Sequence, residues 1–147
     1  EQFFGYVAKN DPLYINKVIH TADLKGEYLW MLDEGHCFRD QLVRYCQLSA
    51  SAKRAIRYSE GNLLSFMHLV EGGQGMTFIP KLAERYLGTD QRSLVRPFAI
   101  PRPVRAIHLA FRSDFVRTSL LDAFASTICS SVPQDMLQMA PNQALAK

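Results

Sequence analysis

Short apolar runs alternating with longer helical stripes predict an α/β sandwich with a largely parallel or mixed sheet flanked by helices. Three observations carry this expectation. Residues 2–8 and Met76–Ile79 are compact strand-like runs bounded by Asn, Asp, Gly and Pro. Leu63, Phe66, Met67 and Val70 recur between them at helical spacing. The 147 residues are 48% apolar and 21% charged, which suits one domain or two small lobes around a buried core.

The elements follow in order. Residues 2–8 read as a buried strand, and Asn10-Asp11-Pro12 as the turn that ends it. Thr21 to Gly26 is a single capped helical turn, and Glu27 to Leu32 a short strand with Trp30 and Leu32 on one face. From Cys37 to about Leu48 the chain reads as a helix, because Leu42, Tyr45 and Cys46 fall at i, i+3 and i+4. Lys53 to Ser59 alternates as a strand does. Asn62 to Val70 is a helix, which Gly72-Gly73-Gln74-Gly75 ends before the strand Met76–Ile79. Pro80 opens a helical segment that closes near Tyr86. Leu94 to Ile100 is an extended edge strand, since Pro97, Pro101 and Pro103 cannot donate to a central ladder. Val104 to Phe111 is the better strand of that region. A last helix covers Asp114 to Ser131, with Leu121, Phe124, Ala125 and Ile128 on one face and Cys129 buried. Gln134 to Lys147 lacks a periodic apolar pattern and reads as a poorly ordered tail.

Bulk chemistry narrows the function classes. A net charge of +3 falls short of the basic stripe of a self-sufficient nucleic-acid binder. No apolar run approaches a membrane span. Three cysteines in a chain this long do not make a disulfide scaffold, and they point to a reducing compartment, the cytoplasm. Phe3, Phe4, Tyr6 and Val7 form a strand-like run at the start with no initiating methionine, which reads as a fragment cut from a longer protein.

Cys37 and Cys46 are the most informative pair. Nine residues of straight helix carry the second about 13 Å along the axis from the first, on the opposite face. A disulfide needs Cα atoms within about 7 Å, so joining these two requires the helix to unwind. Cys37 falls in the first turn, where helix N–H groups and the positive dipole end favour thiolate. His36, if protonated, and Arg39 add positive charge. A thiolate attacks peroxide to give a sulfenic acid, which a second thiol condenses with. A cysteine at a helix start also has an ordinary structural reading, as has a solvated His36, and Asp40 has one as electrostatic support for the first turn. Metal binding by His36, Cys37 and Cys46 lacks a fourth ligand. Composition and spacing therefore stop at a possible thiol switch.

The run Gly35-His36-Cys37-x-Arg39-Asp40-Gln41, with Cys46 at its spacing, resembles the redox centre of OxyR-type hydrogen-peroxide sensors among the LysR-type transcriptional regulators. Ala22-Asp23-Leu24-x-Gly26-Glu27, Leu69-Val70-x-Gly72-x-x-Gly75-Met76-Thr77-x-Ile79-Pro80 and Pro101-x-Pro103-x-Arg105 extend the likeness over about residues 1–130. The cysteine motif is specific, whereas the glycine passage is common to LysR-type effector domains.

The resemblance implies a periplasmic-binding-protein-like (type II) regulatory lobe. Residues 1–105 would form the second lobe, 106–131 the return strand and helix of the first, and 132–147 a tail. It implies that Cys37 reacts with hydrogen peroxide and that Cys46 resolves it as a reversible disulfide. His36, Arg39, Asp40 and Arg105 would support that site. No cofactor or metal is implied, and the activity is regulatory rather than enzymatic. Implied partners are a second copy in a dimer or tetramer through Leu63, Phe66, Met67 and Val70, and a glutaredoxin- or thioredoxin-like reductant. Promoter DNA would be reached only through an N-terminal domain outside this sequence, in a bacterial cytoplasm. Competing readings are a LysR-type domain binding a small-molecule effector and a thiol peroxidase-like enzyme.

Overall fold

The computed structural model describes residues 1–24, 28–31, 37–46 and 61–146, and for Cys37 and Phe38 the main chain. A four-stranded mixed sheet organises them. Its strands are β1 (Phe3–Val7), β2 (Leu29–Trp30), β3 (Met76–Pro80) and β4 (Val95–Pro97), in the spatial order β2-β3-β1-β4. β1 runs antiparallel to both β3 and β4, while β2 is parallel to β3. The proline-bearing β4 lies at the sheet edge, as its sequence required.

Alternation along the strands builds two cores. Phe3, Val7, Met76 and Phe78 face one side, together with Leu42 and Cys46 of helix α1 (Cys37–Tyr45) and its end. Tyr6, Trp30 and Ile79 face the other side, together with Phe66, Met67 and Val70 of helix α2 (Leu63–Glu71). The period of two in β1 and β3 therefore assigns α1 and α2 to opposite faces. At the β2 edge both helices reach one apolar void of about 10 Å³, lined by Leu42 from α1 and by Leu63 and Phe66 from α2.

Local chemistry sets the boundaries. Asn62 caps α2, its side-chain oxygen accepting from the Ser65 N–H at 2.9 Å. Asp11 does the same for the 3-10 turn Pro12–Ile15, accepting from the Leu13 N–H at 2.9 Å. A second 3-10 turn covers Thr21–Leu24. The turn from α2 into β3 ends at Gly75, whose φ is +60°. A Cβ there would stand 2.1 Å from the Tyr28 carbonyl oxygen, so the position admits glycine alone. A 3-10 segment at Lys81–Tyr86 and the short helix α3 (Thr89–Arg92) lead from β3 to β4.

Three expectations change beyond Pro101. The strand expected over Val104–Phe111 is instead β5 (Arg102–Val104), and the chain from Arg105 to Arg112 forms no ladder. A strand needs a partner. The Arg105 N–H bonds Glu1 O at 2.8 Å, after which Ile107 and Phe111 stand 66% and 60% exposed. Helix α4 (Thr118–Ser131) begins four residues later than expected. Its apolar stripe is open, with Phe124 54% exposed, and Cys129 is exposed rather than buried. The tail expected to lack structure instead returns as β6 (Gln143–Leu145), parallel to β5, with Ala146 buried. Two residues with small or polar side chains out of three hid that strand from a search for apolar periodicity. The expected strand Lys53–Ser59, like Leu32, lies outside the described residues.

Candidate functional site: the two ends of helix α1

Helix α1 covers the nine residues Cys37–Tyr45, and the Cys46 N–H continues its ladder onto Leu42 O at 2.9 Å. Straight-chain residues favour the helix, with Asp40 in its first turn and Arg44 in its last to complement the dipole. Leu42 and Cys46, four residues apart, supply the buried stripe at 0% and 5% exposure. The expectation that an unbroken helix separates the two cysteines is met. Its length puts their main chains about 13 Å apart, roughly twice the reach of a disulfide.

The two cysteines occupy different environments. Cys37 is the first residue of α1, where unpaired N–H groups collect. Cys46 is a free thiol inside the apolar core. Burial pushes its pKa up to about 12 from the ordinary 9.0. A thiol in that state is a poor nucleophile until the helix end leaves the core.

The supporting residues divide. Arg39, its side chain 15% exposed, has Nη1 3.9 Å from Asp40 Oδ1, and Asp40 is half exposed. Arg105 donates from Nε to Glu1 Oε2 at 2.9 Å and lies over the Phe3 ring, 5.8 Å from its centroid. Phe3 belongs to the α1 face of the sheet, so Arg105 is held at the sheet end on that side. His36 lies outside the described residues. On α2, Phe66, Met67 and Val70 are buried against the sheet, and these three are core rather than contact surface. Leu64, 59% exposed, and His68 point outward instead.

Sequence reasoning missed the restraints on the far end of α1. The Tyr45 hydroxyl donates to the Pro101 carbonyl, just before β5. Ala146 joins the same buried cluster as Leu42 and Cys46. A tyrosine near a helix end carries no signal that its hydroxyl will reach a proline carbonyl 56 residues away. Among the described residues no three His, Cys, Asp or Glu side chains gather as a metal site would require, and no helix is long and apolar enough to cross a membrane.

Residues 1–130 match the family model described as the LysR substrate binding domain. The chain is 29% identical over 132 residues to the hydrogen peroxide-inducible genes activator of Haemophilus influenzae, covering 90% of this chain and 44% of that one. It is 30% identical over 122 residues to the DNA-binding transcriptional dual regulator OxyR of Escherichia coli, covering 83% of this chain and 40% of that one. The chain thus spans less than half the length of these relatives. Among solved structures, reduced OxyR from Porphyromonas gingivalis superposes with a TM-score of 0.89 at 47% identity, over 99% of this chain and 66% of that one. With its mixed sheet between helices, the periplasmic-binding-protein-like fold is that of these relatives, and the chain belongs to the family of LysR substrate-binding domains.

Proposed function

We propose that this chain is the redox-sensing part of a peroxide-responsive LysR-type regulator, with Cys37 as the reacting thiol and Cys46 as the resolving one. The observation that carries the reading is helix α1 itself, with a cysteine at each end, one in the first turn and one a buried thiol. Hydrogen peroxide reacts with the Cys37 thiolate. A sulfur–oxygen bond forms, the peroxide O–O bond breaks, and hydroxide leaves to be protonated to water. The Cys46 thiolate then attacks the Cys37 sulfenic sulfur, and the second oxygen leaves as water once protonated. Sulfur has lost two electrons and peroxide has gained them.

His36, Arg39, Asp40 and Arg105 serve the Cys37 end by charge and orientation. Positive charge there favours thiolate and the departing hydroxide. The disulfide cannot coexist with an intact α1, so oxidation refolds that segment, and the bond supplies the differential free energy for two states. α1 and α2 share the void at the β2 edge, so the outward side of α2 responds, and with it the geometry of a dimer or tetramer. In the whole protein that geometry sets promoter contact in a bacterial cytoplasm. A glutaredoxin- or thioredoxin-like dithiol restores the thiols by exchange. The chain acts as a regulator rather than as an enzyme.

The test is mass spectrometry after one equivalent of peroxide. A Cys37–Cys46 link is expected in the parent chain, and trapped or further oxidised Cys37 in Cys46→Ser. A Cys37 thiol left intact, or a link to Cys129, rejects the reading.

A further inference from the structure

We infer that the C-terminal strand β6 is a second moving part of this switch, latched by the far end of α1 in the reduced protein and released on oxidation. The inference rests on the redox reading of α1 and adds what that helix holds in place.

β5 and β6 are three residues each, in a two-stranded sheet of their own. Arg102 N donates to Asn142 O and Ala146 N to Val104 O, both at 2.8 Å. A ribbon this short is marginal by itself, so its stability lies in what it rests on. Two of its supports come from α1. The Tyr45 hydroxyl holds the Pro101 carbonyl immediately before β5. Ala146, 4% exposed, closes the β6 end by entering the buried cluster to which α1 contributes Leu42 and the adjoining Cys46.

The remaining supports are unequal. β5 keeps an antiparallel bridge from Gln2 to Val104 and the paired main-chain bonds between Glu1 and Arg105. Among the described residues β6 keeps a long contact, Gln143 Nε2 to Gln2 Oε1 at 3.5 Å, with an exposed Lys81–Asp135 ion pair further up the tail. Bringing Cys46 to the Cys37 sulfur unwinds the end of α1. That step takes the thiol out of the cluster that Ala146 shares and the Tyr45 hydroxyl from Pro101 together. β5 then stays and β6 leaves. Because β6 borders Gln2 and Val104, its departure uncovers the β5 edge while the Gln2–Val104 bridge still ties β5 to the start of the chain.

Residue-resolved amide hydrogen exchange on the reduced and peroxide-treated chain reads this directly. The Ala146 and Arg102 amides should exchange at least tenfold faster after oxidation, together with Cys46 itself. Tyr45→Phe should raise exchange at Arg102 in the reduced chain and leave the oxidised chain unchanged. Equal protection of Ala146 in both states, with the Cys37–Cys46 link confirmed by mass and α1 amides opened, overturns the inference and spares the redox reading. Absence of the disulfide rejects both.

Discussion

Iodoacetamide presents the same electrophile to Cys46 and Cys129, and the fold should separate their fates by orders of magnitude. Alkylation proceeds through thiolate. At pH 7 a thiol with the ordinary pKa of 9.0 is about one part in a hundred ionised, whereas Cys46 at about 12 is about one part in a hundred thousand. Burial therefore cuts the thiolate fraction of Cys46 by roughly three powers of ten relative to an ordinary thiol, a loss that the greater nucleophilicity of a high-pKa thiolate only partly offsets, and at 5% exposure the helix end must also open first. Cys129 is exposed on α4 and serves as the reference in the same molecule. The assay is timed alkylation of the reduced chain, quenched and read by peptide mass, with a urea-unfolded control in which the two rates converge. The sign with pH is fixed as well. Since burial raises the folded value, the neutral thiol's contribution is complete below about 9 and is lost as pH climbs from 9.0 towards about 12. Cys46 labelling within tenfold of Cys129 at pH 7 would show that the thiol is not held in the core, and the argument for a gated resolving step would fail.

Three further outcomes follow from local geometry. Gly75→Ala should cost at least ~2 kcal/mol in urea unfolding, from positive φ and the clash with the Tyr28 carbonyl, and an unchanged midpoint would refute it. Asn62→Ala should cost ~1 kcal/mol through the lost cap on α2, with Asn62→Asp near neutral in the same measurement. Tyr6→Phe should cost ~1–2 kcal/mol, because the hydroxyl donates to Glu71 Oε1 at 2.8 Å from a fully buried ring. Burial pushes the Glu71 carboxyl up, but hydrogen bonds from Gln91, Tyr6 and His68 outweigh it and leave the pKa lowered. The stability this carboxylate adds is present above its ordinary 4.5 and lost as pH falls through the lower folded value. In Tyr6→Phe that acid limb should move to higher pH.

The sequence was legible wherever a residue's own chemistry decides its conformation. Asn62 before an apolar stripe, Gly75 before β3 and Pro97 in β4 each impose a local constraint; α2 and β3 begin where expected, and β4 lies at the edge but ends at Pro97 rather than Ile100. The alternation in β1 placed Tyr6 and Phe3 on opposite faces, which decided the sides that α1 and α2 cover. The illegible parts depend on partners distant in sequence. Val104–Phe111 has strand composition but, among the described residues, only Gln2, Glu1 and the tail beside it, so pairing ends with the Glu1–Arg105 bonds. β6 is the converse, since Gln143-Ala144-Leu145 has no pattern of its own and is a strand because β5 offers an edge. At the candidate site the cysteine motif and its helix were readable, while Tyr45–Pro101 and Ala146 were not, being tertiary contacts of ordinary residues.

Leu42 decides how firmly the reduced state is held. A nine-residue helix is shorter than one that persists alone in water, so α1 stays folded because Leu42 and Cys46 anchor it to the sheet. Once Cys46 leaves for the disulfide, Leu42 is the remaining fully buried anchor among the described side chains, with Val43 and Tyr45 only partly buried against the same core. Leu42→Ala removes that anchor at a cost of ~2–5 kcal/mol to the reduced fold. If the oxidised segment no longer buries this side chain, the penalty falls on the reduced form alone. The disulfide then becomes harder to reduce by ~30 mV for each ~1.4 kcal/mol, or roughly 40–100 mV in total. Equilibration in glutathione buffers of graded ratio, with the Cys37–Cys46 link counted by mass, measures the shift. A lower unfolding midpoint with no change in potential would mean that Leu42 is equally buried in both states, and the claim that oxidation withdraws this anchor from the core would fail.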